Sequence, residues 1–179
     1  MESTTTDPKL GGLFTAIDNN SDGFVDWSDY DRLVNGYLDG FKVDRNSRKA
    51  HALHAVHQMF WCELVRHGDG KNRMAKDQFV KALQSLAVDT SRFNMIEGVP
   101  HAIFDVMDTD DDNEISKDEF KKHLEVWNIT DPAAMDDFDR VDTDGDGYLS
   151  RQEYLRSWRE FFYSPDPDTP GSLFFGRTS

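Results

Sequence analysis

Apolar residues recur along this chain in a fixed frame. Phe14, Phe104 and Phe138 each stand four residues ahead of an aspartate, and Tyr30, Phe79, Phe120 and Tyr154 each open a later run that continues one turn on with Val34, Leu83, Leu124 and Trp158. Spacings of three and four put such side chains on one face of a helix, where they form core. The pattern predicts helices over about 10–17, 27–38, 47–66 and 77–88, the third of them marked by Ala50, Leu53, Val56, Phe60 and Leu64. It predicts further helices through Ile103, Phe104 and Met107, through Phe120, Leu124 and Trp127, and on either side of 142–153. Between helices stands one isolated apolar residue per unit: Val25, Met74, Ile115 and Leu149. Such a residue lets adjacent loops pair as a short antiparallel ribbon, Val25 with Met74 and Ile115 with Leu149. The expected fold is all-α, with four helix-loop-helix units in two paired lobes packed into one compact domain.

Punctuation divides the chain further. Gly36, Gly40 and the run Asp44-Arg45-Asn46-Ser47 predict a break and a new helix cap; Asp89-Thr90-Ser91 predicts a boundary between lobes, and Gly98-Val99-Pro100 a kink or restart. Asp131-Pro132 is expected to cap and start the last entry helix. The resulting division is a polar tail over 1–9, one pair over 10–88, a second over 89–163, and a tail over 164–179. The stiff turn Ser164 to Gly171 should fold that tail back, so that Leu173, Phe174 and Phe175 cover the apolar face between lobes.

The segments that link the helices carry the chemistry. Asp142, Asp144 and Asp146 stand at positions 1, 3 and 5 of a twelve-residue frame, Gly147 at 6, Tyr148 at 7, Ser150 at 9 and Glu153 at 12. A calcium ion takes six to eight oxygens, and this spacing supplies them from three carboxylates, one backbone carbonyl, a water and a bidentate glutamate, with glycine allowing the sharp turn. The spacing resembles that of the EF-hand calcium loop. Asp108, Asp110, Asp112, Glu114 and Glu119 repeat it, with Asn113 in place of the glycine; asparagine tolerates the left-handed conformation better than other side chains do. Asp18, Asn20, Asp22, Phe24, Asp26 and Asp29 repeat it again with Gly23 at position 6. Asp29 is one methylene shorter than glutamate, which makes bidentate closure harder and favours a smaller shell nearer to that of magnesium. Residues 67–78 fill the same frame without the chemistry: His67 replaces the first carboxylate, Lys71 places a cation at position 5, and Gln78 cannot give two anionic oxygens. Three calcium sites are expected, open to magnesium, and none in the second loop.

Charge agrees with that ligand. Thirty-four acidic residues against twenty basic ones give a formal net charge of −14, which disfavours nucleic acid and anionic membrane surfaces as partners. No apolar run approaches the roughly 20 residues that cross a bilayer. The single cysteine, Cys62, and a start without the features of a signal peptide predict a cytoplasmic protein, expected to be a monomer with no identified protein partner. His51, His54 and His57 walk around their helix, so solvated or half-buried histidines are expected rather than a tetrahedral zinc site.

With these loops, a long third helix, a disabled second loop and the ending Trp158-Arg159-Glu160-Phe161-Phe162-Tyr163 to Leu173-Phe174-Phe175-Gly176, the chain resembles the sarcoplasmic calcium-binding proteins, the group that includes calexcitin and calerythrin. The resemblance implies two packed hand pairs and a role in buffering calcium or responding to it. The scattered methionines Met59, Met74, Met95, Met107 and Met135 favour a buffer over a sensor, whose groove would be rich in them. A luciferin-binding or photoprotein-like role would draft Trp61, Trp127, Trp158 and His123 around a cofactor, whereas tryptophans on helices are more often core. No nucleophile, base and orienter set and no phosphate-binding glycine loop is evident, so an enzyme is not expected.

Overall fold

The computed structural model describes residues 7–89, 95–170 and 172. Among the described residues eight helices run in order with four short strands among them: α1 Pro8–Ile17, β1 Phe24–Asp26, α2 Trp27–Gly40, α3 Arg48–His67, β2 Arg73–Ala75, α4 Lys76–Val88, α5 Met95–Met107, β3 Glu114–Ile115, α6 Lys117–Val126, α7 Ala134–Val141, β4 Leu149–Ser150 and α8 Arg151–Tyr163. The fold is all-α, built of four hands in two pairs. β1 and β2 form one antiparallel ribbon with Val25 opposite Met74, and β3 and β4 another with Ile115 opposite Leu149, the pairings that the isolated apolar residues predict. All four of those side chains are fully buried, which fixes the register: a slip of one residue would turn each into solvent.

Local chemistry sets the helix ends. Asp7 caps α1, its side chain accepting from the Lys9 N–H at 3.0 Å, and Pro8 takes the first turn, where its missing N–H costs nothing. Ser47 caps α3 through the Ala50 N–H. At the other end of α3 the Gly70 N–H reaches back to the Val65 carbonyl at 2.8 Å, with Asp69 left-handed at φ 62°: a Schellman closure.

Three local expectations change. Gly36 does not break α2, which runs on to Gly40; Gly40 is the one that lets α6 approach, since a Cβ on it would stand 3.1 Å from a methyl of Val126, whereas one on Gly36 would make an ordinary contact at 3.4 Å. Gly98-Val99-Pro100 lies inside α5 rather than restarting it. Pro100 forfeits one backbone bond near the helix start, while Val99, Ala102 and Ile103 bury their side chains and carry the helix through. Asp131-Pro132-Ala133 forms a turn, closed by the Ala133 N–H onto Asp131 Oδ1 at 2.9 Å, and α7 begins only at Ala134. Thr90 and Ser91 of the expected boundary, and Leu173, Phe174 and Phe175 of the expected cover, lie outside the described residues.

One core serves both pairs. Phe14, Val34, Leu53, Leu64 and Phe79 from the first pair and Ile103, Phe104, Phe120, Phe138 and Tyr154 from the second belong to a single buried cluster. The long α3 lies along α5 and so joins the pairs. α2 and α6 are also locked by polar groups: the Tyr37 hydroxyl lies 2.7 Å from His123 Nδ1 and accepts the Trp127 indole N–H, all three side chains buried. The stretch after α8 returns to the body, where the Lys9 ammonium donates to the Ser164 carbonyl and Arg140 to the Asp168 carbonyl at 2.8 Å. No helix among the described residues is long and apolar enough to cross a membrane.

Candidate metal centre

In the third and fourth loops the backbone wraps around the first aspartate. Asp108 accepts from the N–H groups of Asp112 at 3.1 Å and Asn113 at 2.9 Å; Asp142 accepts from those of Gly145 at 2.8 Å and Gly147 at 2.9 Å. Those bonds require left-handed turns, and Asp111 and Asn113 (φ 59° and 64°) and Gly145 and Gly147 (φ 73° and 88°) supply them. Each position-5 aspartate turns one oxygen back onto the N–H two residues on, Asp112 to Glu114 at 2.8 Å and Asp146 to Tyr148 at 2.9 Å. The carbonyl of position 7 belongs to the first strand residue in the third loop, Glu114, and to the residue just before the strand in the fourth, Tyr148.

Position 12 does two jobs. Glu119 and Glu153 are the third residues of α6 and α8, and with Ser116 and Ser150 they form capping boxes that start those helices. Their other oxygen takes the N–H and hydroxyl of Thr109 (2.9 and 2.6 Å) and of Thr143 (2.8 Å each). Protein donors alone thus hold each closing glutamate inside its loop. Burial pushes the Glu153 carboxyl up, but the bonds from Ser150 and Thr143 outweigh it and bring the group down to about 2; Glu119 is lowered by the same balance. Asp108, by contrast, is raised, chiefly by burial, a load that a bound cation would relieve.

Carboxylate oxygens of Asp108, Asp110 and Glu119 lie within 4.8 Å of one another, as do those of Asp142, Asp144 and Glu153. Donor set, spacing and hardness fit calcium. In the ribbon between the two loops stands Glu114, whose carboxyl is raised by partial desolvation and by Asp112, Asp146, Asp144 and Asp110, so the two loops share one negative field.

The first loop is looser. Asp18 accepts from the N–H groups of Asp22 at 3.1 Å and Gly23 at 3.0 Å, and Ser21 and Gly23 are left-handed, as in its sister loops. Its short closing residue differs: Asp29 Oδ2 accepts from the Asp26 N–H at 3.0 Å, but Oδ1 is held by Arg32 at 3.2 Å rather than by position 2. Asp18, Asp22 and Asp29 do not form a cluster as tight as the other two among the described residues. The frame is present and the closure wider, as the missing methylene leads one to expect.

In the second loop the difference reaches the backbone. α3 extends through position 1, the left-handed residues are Asp69 and Gly70 at positions 3 and 4 rather than at 4 and 6, and Ala75 offers no capping side chain; Gln78 accepts from the Ala75 N–H at 3.2 Å. His67 joins Glu63 and Asp89 in a cluster of ligand-type atoms, which sequence reasoning missed because Asp89 comes from the far end of α4. A guanidinium nitrogen of Arg66 sits at its centre, 2.7 Å from Glu63, 2.6 Å from Asp89 and 2.9 Å from His67 Nε2, so the group is an ion-pair knot. Contacts from three basic residues that lie outside the loop they touch were equally hidden in the sequence: Lys49 of α3 on the Asp108 carbonyl (2.9 Å) and Asp111 (2.7 Å), Arg151 on Asn113 (3.1 Å) and Asp105 (2.6 Å), and Arg73 on Asp22 (2.9 Å).

Known proteins match this architecture. The EF hand family model matches residues 11–34, 101–124 and 135–156, the segments that hold the first, third and fourth loops. A calcium and calcium/calmodulin-dependent serine/threonine-protein kinase of rice, Oryza sativa subsp. japonica, is 30% identical over 122 residues, which are 68% of this chain; the chain spans about one fifth (21%) of that kinase. A calcium-binding protein of Streptomyces coelicolor superposes with a TM-score of 0.73 at 26% identity, over 86% of this chain and 95% of the other. Calcium-loaded apo-aequorin from Aequorea victoria (TM-score 0.72, 20% identity, 96% and 99% covered) and a sarcoplasmic calcium-binding protein from amphioxus (0.70, 13%, 97% and 98%) share the fold. The chain thus carries three EF hands whose acidic loops suit calcium, on a fold that calcium-binding proteins share.

Proposed function

We propose that the protein is an intracellular calcium and magnesium buffer that changes shape little on loading. The ligands are Asp18, Asn20, Asp22, the Phe24 carbonyl and Asp29 in the first site; Asp108, Asp110, Asp112, the Glu114 carbonyl and Glu119 in the second; and Asp142, Asp144, Asp146, the Tyr148 carbonyl and Glu153 in the third. The observation that carries the buffer reading is the shared core. Apolar faces that a sensor would uncover are packed against each other and bolted by Tyr37, His123 and Trp127, and of the methionines with described side chains only Met59 is exposed. Glu119 and Glu153 are held in the closing position by their own loops, which reduces what an ion must rearrange.

A photoprotein-like role finds less support. The gap between pairs lined by Leu13, Tyr30, His57, Val99, Trp127 and Trp158 leaves about 30 Å³, room for one or two waters and far short of an aromatic cofactor. We read the chain as a non-enzymatic monomer of the cytoplasm without nucleic-acid partners; its charge and its free, exposed cysteine support this. Calorimetric titration with calcium, with and without millimolar magnesium, tests the reading. Three sites that magnesium weakens, with no gain in hydrophobic-dye binding, is the expected result. Strong calcium-dependent dye binding would sink the buffer reading, and any other stoichiometry would sink the ligand sets.

A further inference from the structure

The second loop holds no calcium ligands, yet it reaches into the first. Arg73, at its position 7, stands opposite Asp26 in the β1–β2 ribbon and donates to Asp22 Oδ2 at 2.9 Å. Its guanidinium carbon lies 4.0 Å from the centre of the Phe24 ring, a cation–π contact that pins the side chain along the first loop.

What Arg73 touches matters. Asp22 Oδ1 accepts the Phe24 N–H at 2.9 Å, matching the bonds of Asp112 Oδ1 to Glu114 and of Asp146 Oδ1 to Tyr148. In each loop this turn leaves the second oxygen of position 5 to face an ion. Among the described residues no protein cation contacts Asp112 or Asp146; in the first loop Arg73 bonds that very oxygen.

We propose that Arg73 lowers the affinity of the first site by acting as an intramolecular counter-ion that a metal must displace from Asp22. The second hand is thereby the regulator of its neighbour rather than only its scaffold. This rests on the reading of Asp22 as a ligand. Both partners are partly exposed, with side-chain exposures of 51% for Arg73 and 39% for Asp22, so solvent and salt temper the effect.

Calcium titration of the full chain in an E119Q/E153Q background, where the first loop is the intact site, tests the proposal. R73M keeps the apolar stem and drops the charge; R73K keeps the charge and drops the planar fork. R73M should bind calcium about two- to fivefold more tightly at low ionic strength, a gain that shrinks in 0.5 M salt, with R73K close to the parent. Equal or weaker binding by R73M, with the site still present, overturns the proposal alone. No calcium binding in that background, with or without Arg73, overturns the reading of the first loop as a site and the proposal with it.

Discussion

The hydroxyl of Tyr37 lies 2.7 Å from Nδ1 of His123, across the seam between the exit helices of the first and third hands. The same oxygen accepts the Trp127 indole N–H, so one hydroxyl on α2 engages two side chains at the end of α6. Y37F removes both bonds from a fully buried site and should cost about 1–3 kcal/mol in urea denaturation. Calcium stoichiometry should stay at three, since none of these groups lies in a loop.

His123 and His57 also predict a pH dependence. Burial lowers His123 to about 3 and His57 to about 4, the latter despite its bond to the Leu53 carbonyl. Both bind protons more readily when unfolded, so their stabilising effect is complete above pH 6.5 and is lost as pH falls from there to about 4 for His57 and about 3 for His123. Denaturation in the presence of chelator should show stability declining through that window. H57Q cannot titrate and should flatten the slope; an unchanged slope would exonerate His57.

Glu153→Gln removes an anionic oxygen from a bidentate closure while keeping the cap to the Ser150 N–H. Calorimetry should count two sites instead of three. Gln78→Glu should not create a fourth, because the second loop also lacks the first carboxylate and the left-handed turn at position 6.

Asn113 occupies the glycine position at φ 64°, with its side-chain oxygen held by Arg151 from the partner loop at 3.1 Å. Asn113→Ala loses both the tolerance for that conformation and the acceptor, at a cost of about 1–2 kcal/mol. One of the three sites should weaken by roughly tenfold. Asn113→Gly should change little, because an easier turn offsets the lost bond.

Gly36 faces Val126 with room for a methyl in ordinary contact at 3.4 Å. Gly36→Ala should therefore raise stability by about 0.5–1 kcal/mol through helix propensity, read as a higher midpoint in urea.

These particulars separate what the chain discloses in one dimension from what it does not. The loops, their capping serines and the ribbon partners Val25–Met74 and Ile115–Leu149 depend on spacing within a dozen residues, and that spacing is visible in letters. Gly36 looked like a breaker because its neighbour Val126 is ninety positions away. Pro100 looked like a restart because nothing local shows which face of α5 is buried. Arg73, Arg151 and Lys49 carried no signal, since each acts on a loop other than its own. The widened first loop was half legible: Asp29 announced the short reach, while Arg32 behind it emerged only from the helix geometry.

The capping boxes at Ser116–Glu119 and Ser150–Glu153 have a consequence in time. A loop whose closing carboxylate is anchored by its own helix start presents an arriving ion with a nearly finished cage, so uptake is paced by how quickly the ion sheds its water. Calcium loses water readily and magnesium reluctantly. In a cell where magnesium is the resident ion, the speed at which this protein blunts a calcium pulse would then be set by magnesium's departure.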